Sequence, residues 1–430
     1  MATTGMTAVI VGCGHRSMLY ARCAKKAAGV RIVGVADPDP IRRQQAVDAF
    51  GILAAGCFET AEALAAAGKI ADFVINGTMD QLHVATALPL LRLGYDMLLE
   101  KPISTTPEDL RELVLTAREC GRTVLVCHVL RYAPFYATVK AQLDAGAVGQ
   151  VMNIQTHEHV SYHHMAVGFV RGKWNSEARC HSGILMAKCC HDLDIVAWMK
   201  SGVAPTKVSS FGSRMHFREE QAPAGAGTRC TVDCPIERDC DFSARKHYIE
   251  QGKWGFYAWE GIEHIPKPTV ADKEEWLRTG PYGRCVWKTD NTVLDTQTVA
   301  IQFADGSTAG HSLMGGSAKP SRGIHVLGTA GELEGDFESG RIVLRRPDPR
   351  PGHEYTEEVI PLAVVGDTTG ITGGHGGGDE RLVADAVAVF AGTADAIGLT
   401  HLEQSIAGHM IGFCAEQSRL EDRVVTIPTI

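Results

Sequence analysis

At 430 residues, 45% of them hydrophobic, the chain exceeds what one core usually supports, so two domains with a cleft between them are expected. A formal net charge of -8, a pI near 6.1 and the lack of any long basic run argue against a nucleic-acid partner, and no apolar stretch is long enough to span a bilayer. What remains is a globular protein that handles small molecules.

Residues 1–7 lead almost directly into Ala8-Val9-Ile10-Val11 with no charged leader, and the 13 cysteines, an odd number, are scattered through helix-like and strand-like stretches. Both observations predict a cytoplasmic protein with reduced thiols. Residues 8–11 read as a buried strand that Gly12-Cys13-Gly14-His15-Arg16-Ser17 turns into a helical stretch over 18–28. In this turn Gly12 permits the bend, Gly14 lets a pyrophosphate approach the backbone, and Ser17 allows close packing; His15 and Arg16 stand at the helix N-terminus that would receive the phosphates. The next strand, 31–36, ends in Asp37, an acid placed to accept ribose hydroxyls and to repel a 2'-phosphate. NAD is therefore favoured over NADP, with Arg42 and Arg43 close downstream as the counterweight.

A strand over 73–76 opens into Gly77-Thr78-Met79-Asp80-Gln81-Leu82-His83, and Met97-Leu98-Leu99 runs into Glu100-Lys101-Pro102. A lysine at the carboxyl end of a parallel strand lies at the crevice where open α/β sheets bind ligands, and Pro102 can set the turn that aims it, in a cis form if need be. A helix over 107–120 and a strand over 123–127 follow, then His128 and Arg131-Tyr132. Strands alternating with helices at this spacing predict a parallel, doubly wound α/β sheet.

Gly12-Cys13-Gly14, Asp37, Thr78 with Leu82-His83, Glu100-Lys101-Pro102, and Arg131-Tyr132 before a helix ending in Gly146-Ala147-Val148-Gly149 resemble, in order and spacing, the glucose-fructose oxidoreductase, inositol dehydrogenase and MocA family of NAD(P)-dependent oxidoreductases. The resemblance implies a Rossmann domain over 1–128 and an α+β domain over 129–430 whose open, mostly antiparallel sheet carries the substrate and the contacts of a homodimer or homotetramer. Thr78, Asp80, His83, Glu100, Lys101 and Arg131 are then expected to join the glycine turn around the cofactor.

In the second half, a strand over 151–160 leads to Tyr162-His163-His164, and Phe169-Val170-Arg171-Gly172-Lys173-Trp174 adds two cations and an indole. Three histidines near a strand end suit a metal, but the resemblance places them along the substrate cleft, where imidazoles and phenols bind sugar hydroxyls. In Ser182-Gly183-Ile184-Leu185-Met186-Ala187-Lys188-Cys189-Cys190-His191-Asp192-Leu193-Asp194, His191 matches the family histidine that faces the reacting hydroxyl. It would accept the hydroxyl proton while Lys101 stabilises the developing alkoxide. Four residues earlier, where the family commonly has an acid, stands Ala187; Lys188, Asp192 and Asp194 supply other charges. The expected substrate contacts are Arg131, Tyr132, Tyr162, His163, His164, Arg171, Trp174, Lys188, Asp192 and His375.

A stretch over about 211–285, rich in charge, proline and glycine, reads as an insertion. Its Cys230, Cys234, Cys240 and Cys285 suit a structural tetrahedral zinc, although an iron-sulfur cluster or unligated thiols fit the same residues. Strands follow over 298–303, 308–313 and 323–327, and Gly328-Thr329-Ala330-Gly331-Glu332-Leu333-Glu334 resembles a late structural turn of the family. Gly373-Gly374-His375-Gly376-Gly377-Gly378-Asp379 precedes a helix, and a helix over 401–420 with a strand over 424–427 closes the chain at the domain junction.

The expected activity is hydride transfer between NAD and a secondary hydroxyl of a sugar, cyclitol or glycoside. The rival is a redox-neutral NAD-dependent glycoside hydrolase, with Tyr132, Tyr162, His163 or His375 as its extra acid or base. A non-catalytic binding protein on the same fold, favoured by Ala187, is the third reading.

Overall fold

Short apolar runs in the first third, all flanked by turn residues, become six parallel strands: β1 (Thr7–Val11), β2 (Arg31–Ala36), β3 (Cys57–Phe58), β4 (Phe73–Asn76), β5 (Asp96–Leu99) and β6 (Val124–Val126). They are ordered β3-β2-β1-β4-β5-β6 in the computed structural model, which describes residues 5–362, 375–393 and 396–430, without the side chains of Pro361 and His375. Successive residues of a strand face opposite ways: Val9 and Val11 enter one apolar cluster, Ala8 and Ile10 another. Both faces are covered by helices, which is why the strands read as unbroken apolar runs. The strand order reverses at β1, so the crevice lies where the segments after β1, β4 and β5 emerge together. Gly12 has φ +80 there, and a Cβ on it would lie 2.7 Å from the Thr78 nitrogen, so the turn admits only glycine.

The second sheet has nine strands: β7 (Val151–Ser161), β8 (Pro205–Ser213), β9 (Thr296–Phe303), β10 (Thr308–Ser317), β11 (Ser321–Gly328), β12 (Glu332–Asp336), β13 (Arg341–Pro347), β14 (Tyr355–Pro361) and β15 (Val425–Thr426). Their order is β14-β13-β12-β11-β7-β10-β9-β8-β15, antiparallel throughout except for β10 beside β7. Phe211 lies inside β8, whose pairing with β9 runs to Ser213 opposite Thr296. The excursion between these neighbouring strands therefore covers 214–295 rather than the 211–285 expected from composition. It has its own aromatic core around Tyr248, Trp254, Leu277 and Tyr282.

β13 and β14 were not expected, because charge pairing takes the place of apolar alternation on their outer face: Arg345 reaches Glu334 at 2.9 Å and Glu357 at 2.8 Å. The chain then returns to the first sheet. The helix Gly378–Phe390 packs Leu382, Val383, Ala386 and Val387 into the cluster that holds Ala8 and Ile10. Among the described residues no helix is long and apolar enough to cross a membrane.

The last helix, Leu402–Glu421, carries His409, which is 0% exposed. Its Nε2 accepts from the Ile103 N–H at 2.8 Å and its Nδ1 faces the Ser405 carbonyl at 3.2 Å, so the ring must be neutral with the proton on Nδ1. Burial, helped by His128, pushes it down to about 3. Burial holds His247 at about 3 as well. From an unfolded value near 6.5 down to about 3, the unfolded chain binds protons that the folded one refuses, so stability is complete above this window and falls as pH drops through it. Urea midpoints should be lower at pH 5 than at pH 7.5, with a shallower dependence in His409→Gln; a flat profile would contradict this account of the buried rings.

Candidate active site

The helix His15–Ala28 begins at Gly14 with no side-chain cap, in contrast to the helices starting after Asp39 and Thr106, whose side chains bond the first turn. Its free N–H groups face a cleft lined by Gly14, His15, Arg16, Gly77, Thr78, Asp80, His83, Glu100 and Lys101 from the first half. A Cβ on Gly14 would meet nothing closer than 3.9 Å, so a ligand can reach the backbone there. An uncapped helix start beside an open glycine is what a dinucleotide pyrophosphate requires, and the residues present fit that group. Asp37, 6% exposed, lies at the end of β2, where its carboxylate accepts from the Cys13 nitrogen at 2.6 Å and the Asp39 nitrogen at 2.8 Å. Arg42 is taken by Glu263 at 3.1 Å, and Arg43 by the Asp37 carbonyl at 2.5 Å.

Glu100 is buried at the end of β5. Burial opposes its ionisation, but Arg16 at 3.1 Å and Lys101 outweigh that and hold the carboxyl below its usual range, with Tyr20 donating at 2.8 Å. Arg16 also pairs with Asp379 and bonds the Tyr20 hydroxyl at 2.6 Å. Most of its donors thus serve the scaffold. The Lys101–Pro102 bond is cis, and His83, 1% exposed, places its two ring nitrogens 2.6 Å from the Pro102 carbonyl and 3.2 Å from that of Thr78. This holds the lysine turn against the turn that follows β4.

The other wall comes from the second half: His164, Phe169, Lys173, Trp174, Ala187, Lys188, His191, Tyr257 and Arg322. The Lys101 ammonium crosses the cleft to the Ala187 carbonyl at 2.7 Å, so a main-chain oxygen meets the lysine where the family commonly has an acid. His191 lies in the first turn of the helix Cys190–Met199. Directly after it, Asp192 receives Arg322 at 2.9 Å, and Arg322 also meets Glu158 at 2.6 Å, while Lys188 reaches Glu158 at 3.2 Å. Burial disfavours the Glu158 charge, but Arg322 and Lys188 more than compensate and lower its pKa. Trp174 donates to Asp80 at 3.2 Å across the cleft. His164 stacks on Trp254 at 4.4 Å, and burial, then Lys188, keeps it neutral.

Several expected contacts lie elsewhere. Arg131 is 1% exposed and spans Asp194 at 2.8 and 2.6 Å, a buried pair that takes its guanidinium away from the cleft lining. The Tyr132 hydroxyl donates to Asp385 at 2.5 Å. Tyr162 packs its ring on Phe242 and His247, and the Nδ1 of His163 accepts from Trp254 at 2.9 Å; neither residue lines the cleft. Asp192 stands behind Arg322, out of the lining. Arg171 is a hub of the excursion, holding the carbonyls of Arg284 at 2.7 Å and Phe242 at 2.8 Å and the Tyr248 hydroxyl at 3.1 Å. His375 opens a short turn, and its side chain lies outside the described residues.

The zinc expectation is also corrected. No three of the Cys230, Cys234, Cys240 and Cys285 sulfurs lie within 4.8 Å of one another; the described residues form such a ligand group only at Cys189, Asp192 and His311, where Arg322 already pairs with the aspartate. Cys230 instead accepts from Arg171 at 3.4 Å, and burial pushes Cys240 and Cys285 up, toward the protonated thiol. Gly77, Phe169, Ala187, Tyr257 and Arg322 complete the lining without having been among the expected contacts, and Lys173 joins it as one of the two cations read in its segment. Arg322 had one cue, a cation in an apolar-alternating strand; Tyr257 had only the aromatic density of its segment.

Residues 6–128 match the family model described as oxidoreductase family, NAD-binding Rossmann fold, and residues 140–427 match that family's C-terminal alpha/beta domain. YteT of Bacillus subtilis (strain 168), named as an oxidoreductase, is 25% identical over 333 residues, 73% of this chain and 71% of its own. An inositol 2-dehydrogenase of Burkholderia lata is 24% identical over 322 residues, 72% of this chain and 88% of its own. A crystal structure of an oxidoreductase from Agrobacterium radiobacter, in complex with NAD+, L-tartaric acid and magnesium, has the same fold, with a TM-score of 0.66 at 16% identity over 98% of each chain.

Replacing Arg322 by methionine would leave Asp192 and Glu158 buried without their shared cation, and breaking a buried pair this way costs about 3–5 kcal/mol. The Arg322→Met protein should unfold at clearly lower urea concentration than the parent, and an unchanged midpoint would show that this cluster does not hold the helix of His191.

Proposed function

The chain belongs to the Gfo/Idh/MocA oxidoreductase family, and on that premise we propose that it moves hydride between NAD and a secondary hydroxyl of a sugar or cyclitol. The observation that carries the reading is that Lys101 and His191, contributed by different halves, line one cleft with an uncapped helix N-terminus at its far side. The nicotinamide, when bound, supplies the hydride acceptor. His191 takes the hydroxyl proton as the carbinol is oxidised and returns it in the reverse direction. Lys101, oriented by the Ala187 carbonyl, keeps further N–H groups for the substrate oxygen and stabilises its developing negative charge. The aromatic wall of Trp174 and Tyr257 suits the apolar face of a ring.

Asp37 supports NAD over NADP, the more so because Arg42 and Arg43 are engaged with Glu263 and the Asp37 carbonyl. Of the four residues that the glycosidase reading draws on, Tyr132 and His163 are hydrogen-bonded away from the cleft and Tyr162 does not line it, while the His375 side chain lies outside the described residues. We place cofactor binding in residues 1–128 and substrate binding in 129–430. Self-association into a homodimer or homotetramer is assigned to the open face of the second sheet, where Phe211 and Met314 are 69% and 43% exposed.

With NAD and a panel of inositols and sugars, the wild-type protein should generate absorbance of reduced cofactor. Lys101→Met and His191→Asn should each lower kcat by about 10²–10⁴-fold while NAD still binds. Turnover unaffected by both substitutions would refute the assigned roles. Asp37→Ala should weaken NAD binding and narrow the gap to NADP, measured by titration; an unchanged ratio of affinities would remove Asp37 from the adenosine site.

A further inference from the structure

The excursion 214–295 leaves the second sheet between two strands that are hydrogen-bonded neighbours, a connection that needs only a short turn. Instead it reaches the first half of the chain. Phe256 stacks on His15 with ring centroids 4.6 Å apart and planes inclined by 24°. His15 is the first residue of the uncapped helix, so this contact sits directly over the pyrophosphate end of the cleft. Further out, Glu263 binds Arg42 at 3.1 Å, on the helix that follows Asp37 and hence on the adenosine side. Between these points Tyr257 enters the cleft lining and meets Trp174 edge-on at 5.9 Å, and Trp174 is itself bonded to Asp80.

The segment bearing these contacts is built as a body. Trp254, Ala258, Leu277, Tyr248 and Tyr282 are buried together, Trp276 donates to the Ala258 carbonyl at 2.7 Å, and Tyr282 bonds Glu260 at 2.6 Å. The second half anchors this body through Arg171, His163 and His164, whereas toward the first half it is held by a ring stack and an ion pair, so the edge that carries Phe256 and Glu263 can part from the first half when those two contacts break.

We propose that this excursion is a cover over the dinucleotide, with Tyr257 as a cofactor-contacting residue and the Phe256–His15 and Glu263–Arg42 contacts as its latches, so that the nucleotide, oxidised before the hydride transfer and reduced after it, exchanges slowly. The inference rests on the reading of the cleft as a dinucleotide site. It concerns the lifetime of the bound nucleotide more than its rate of capture, because release requires the latches to open first.

The test uses the full chain loaded with NAD, passed through gel filtration, and chased with a fluorescent etheno-NAD to time the exchange. The wild type should retain stoichiometric nucleotide through the column. Phe256→Ala and Glu263→Gln should each speed release about tenfold or more with little change in the association rate, and Phe256→Tyr, which keeps the ring, should release as slowly as the wild type. Wild-type protein that binds NAD but exchanges it as fast as the two latch variants would overturn the cover and leave the oxidoreductase reading standing. Protein that binds neither NAD nor its analogue at millimolar concentration would overturn both.

Discussion

A helix with almost no access to water cannot carry charge unless every charge is met inside the protein, and the helix Cys190–Met199 is under that constraint. Residues 190–196 are all buried, yet they include His191, Asp192 and Asp194. Each faces a different part of the molecule. Asp194 receives Arg131 from the short turn after β6, Asp192 receives Arg322 from the second sheet, and His191 lines the cleft. Two ion pairs on the same helix, pointing in different directions, fix its rotation and its depth. The imidazole is aimed by partners that never touch a substrate.

The same logic explains why the position before Lys188 tolerates alanine. Lys101 needs an acceptor to hold its ammonium in the cleft, and the Ala187 carbonyl supplies one at 2.7 Å. A main-chain oxygen orients the lysine without neutralising it, whereas a carboxylate would partly cancel its field. The carboxylates nearby have partners of their own: Glu158 takes Arg322 and Lys188, and Glu100 takes Arg16, Tyr20 and the Lys101 N–H.

What could be read from the sequence was what is local. The turn after β1, Asp37 and Glu100-Lys101-Pro102 are short-range patterns in which strand, bend and functional residue are contiguous, so their place on the sheet follows from the chain order. His191 was singled out by its match to the family histidine, and it lines the cleft. Arg131, Tyr132 and Arg171 were assigned to ligands because the resemblance places their segments along the cleft; each is spent on a partner distant in sequence, Asp194, Asp385 and Tyr248 respectively. Nothing near them in the chain announces those partners. Arg322 and Tyr257 were missed by the converse route, since both are brought to the cleft by long-range pairing. The four cysteines suggested a metal because three thiols close in sequence and a fourth match the ligand count of tetrahedral zinc, although their spacing is not a paired C-x-x-C pattern; the fold uses one of them as a hydrogen-bond acceptor for a buried guanidinium.

The excursion and the chemistry are linked through water. Charges 4 Å apart interact by about 1 kcal/mol in bulk water and by about 4 kcal/mol at the effective dielectric of a protein site. A lysine that only lined an open cleft would act near the first value. Here Trp174 is bonded across the cleft to Asp80, Tyr257 stands edge-on against it, and His164 is stacked on Trp254 behind them, so aromatic surface replaces solvent on the side facing Lys101 and His191. Two of those rings, Tyr257 and Trp254, come from the excursion. The segment that composition marks as an insertion therefore belongs to the walls of the cleft: without it, the Tyr257 ring of the lining and the ring stacked on His164 would be absent, and water would take their place beside the lysine and the histidine.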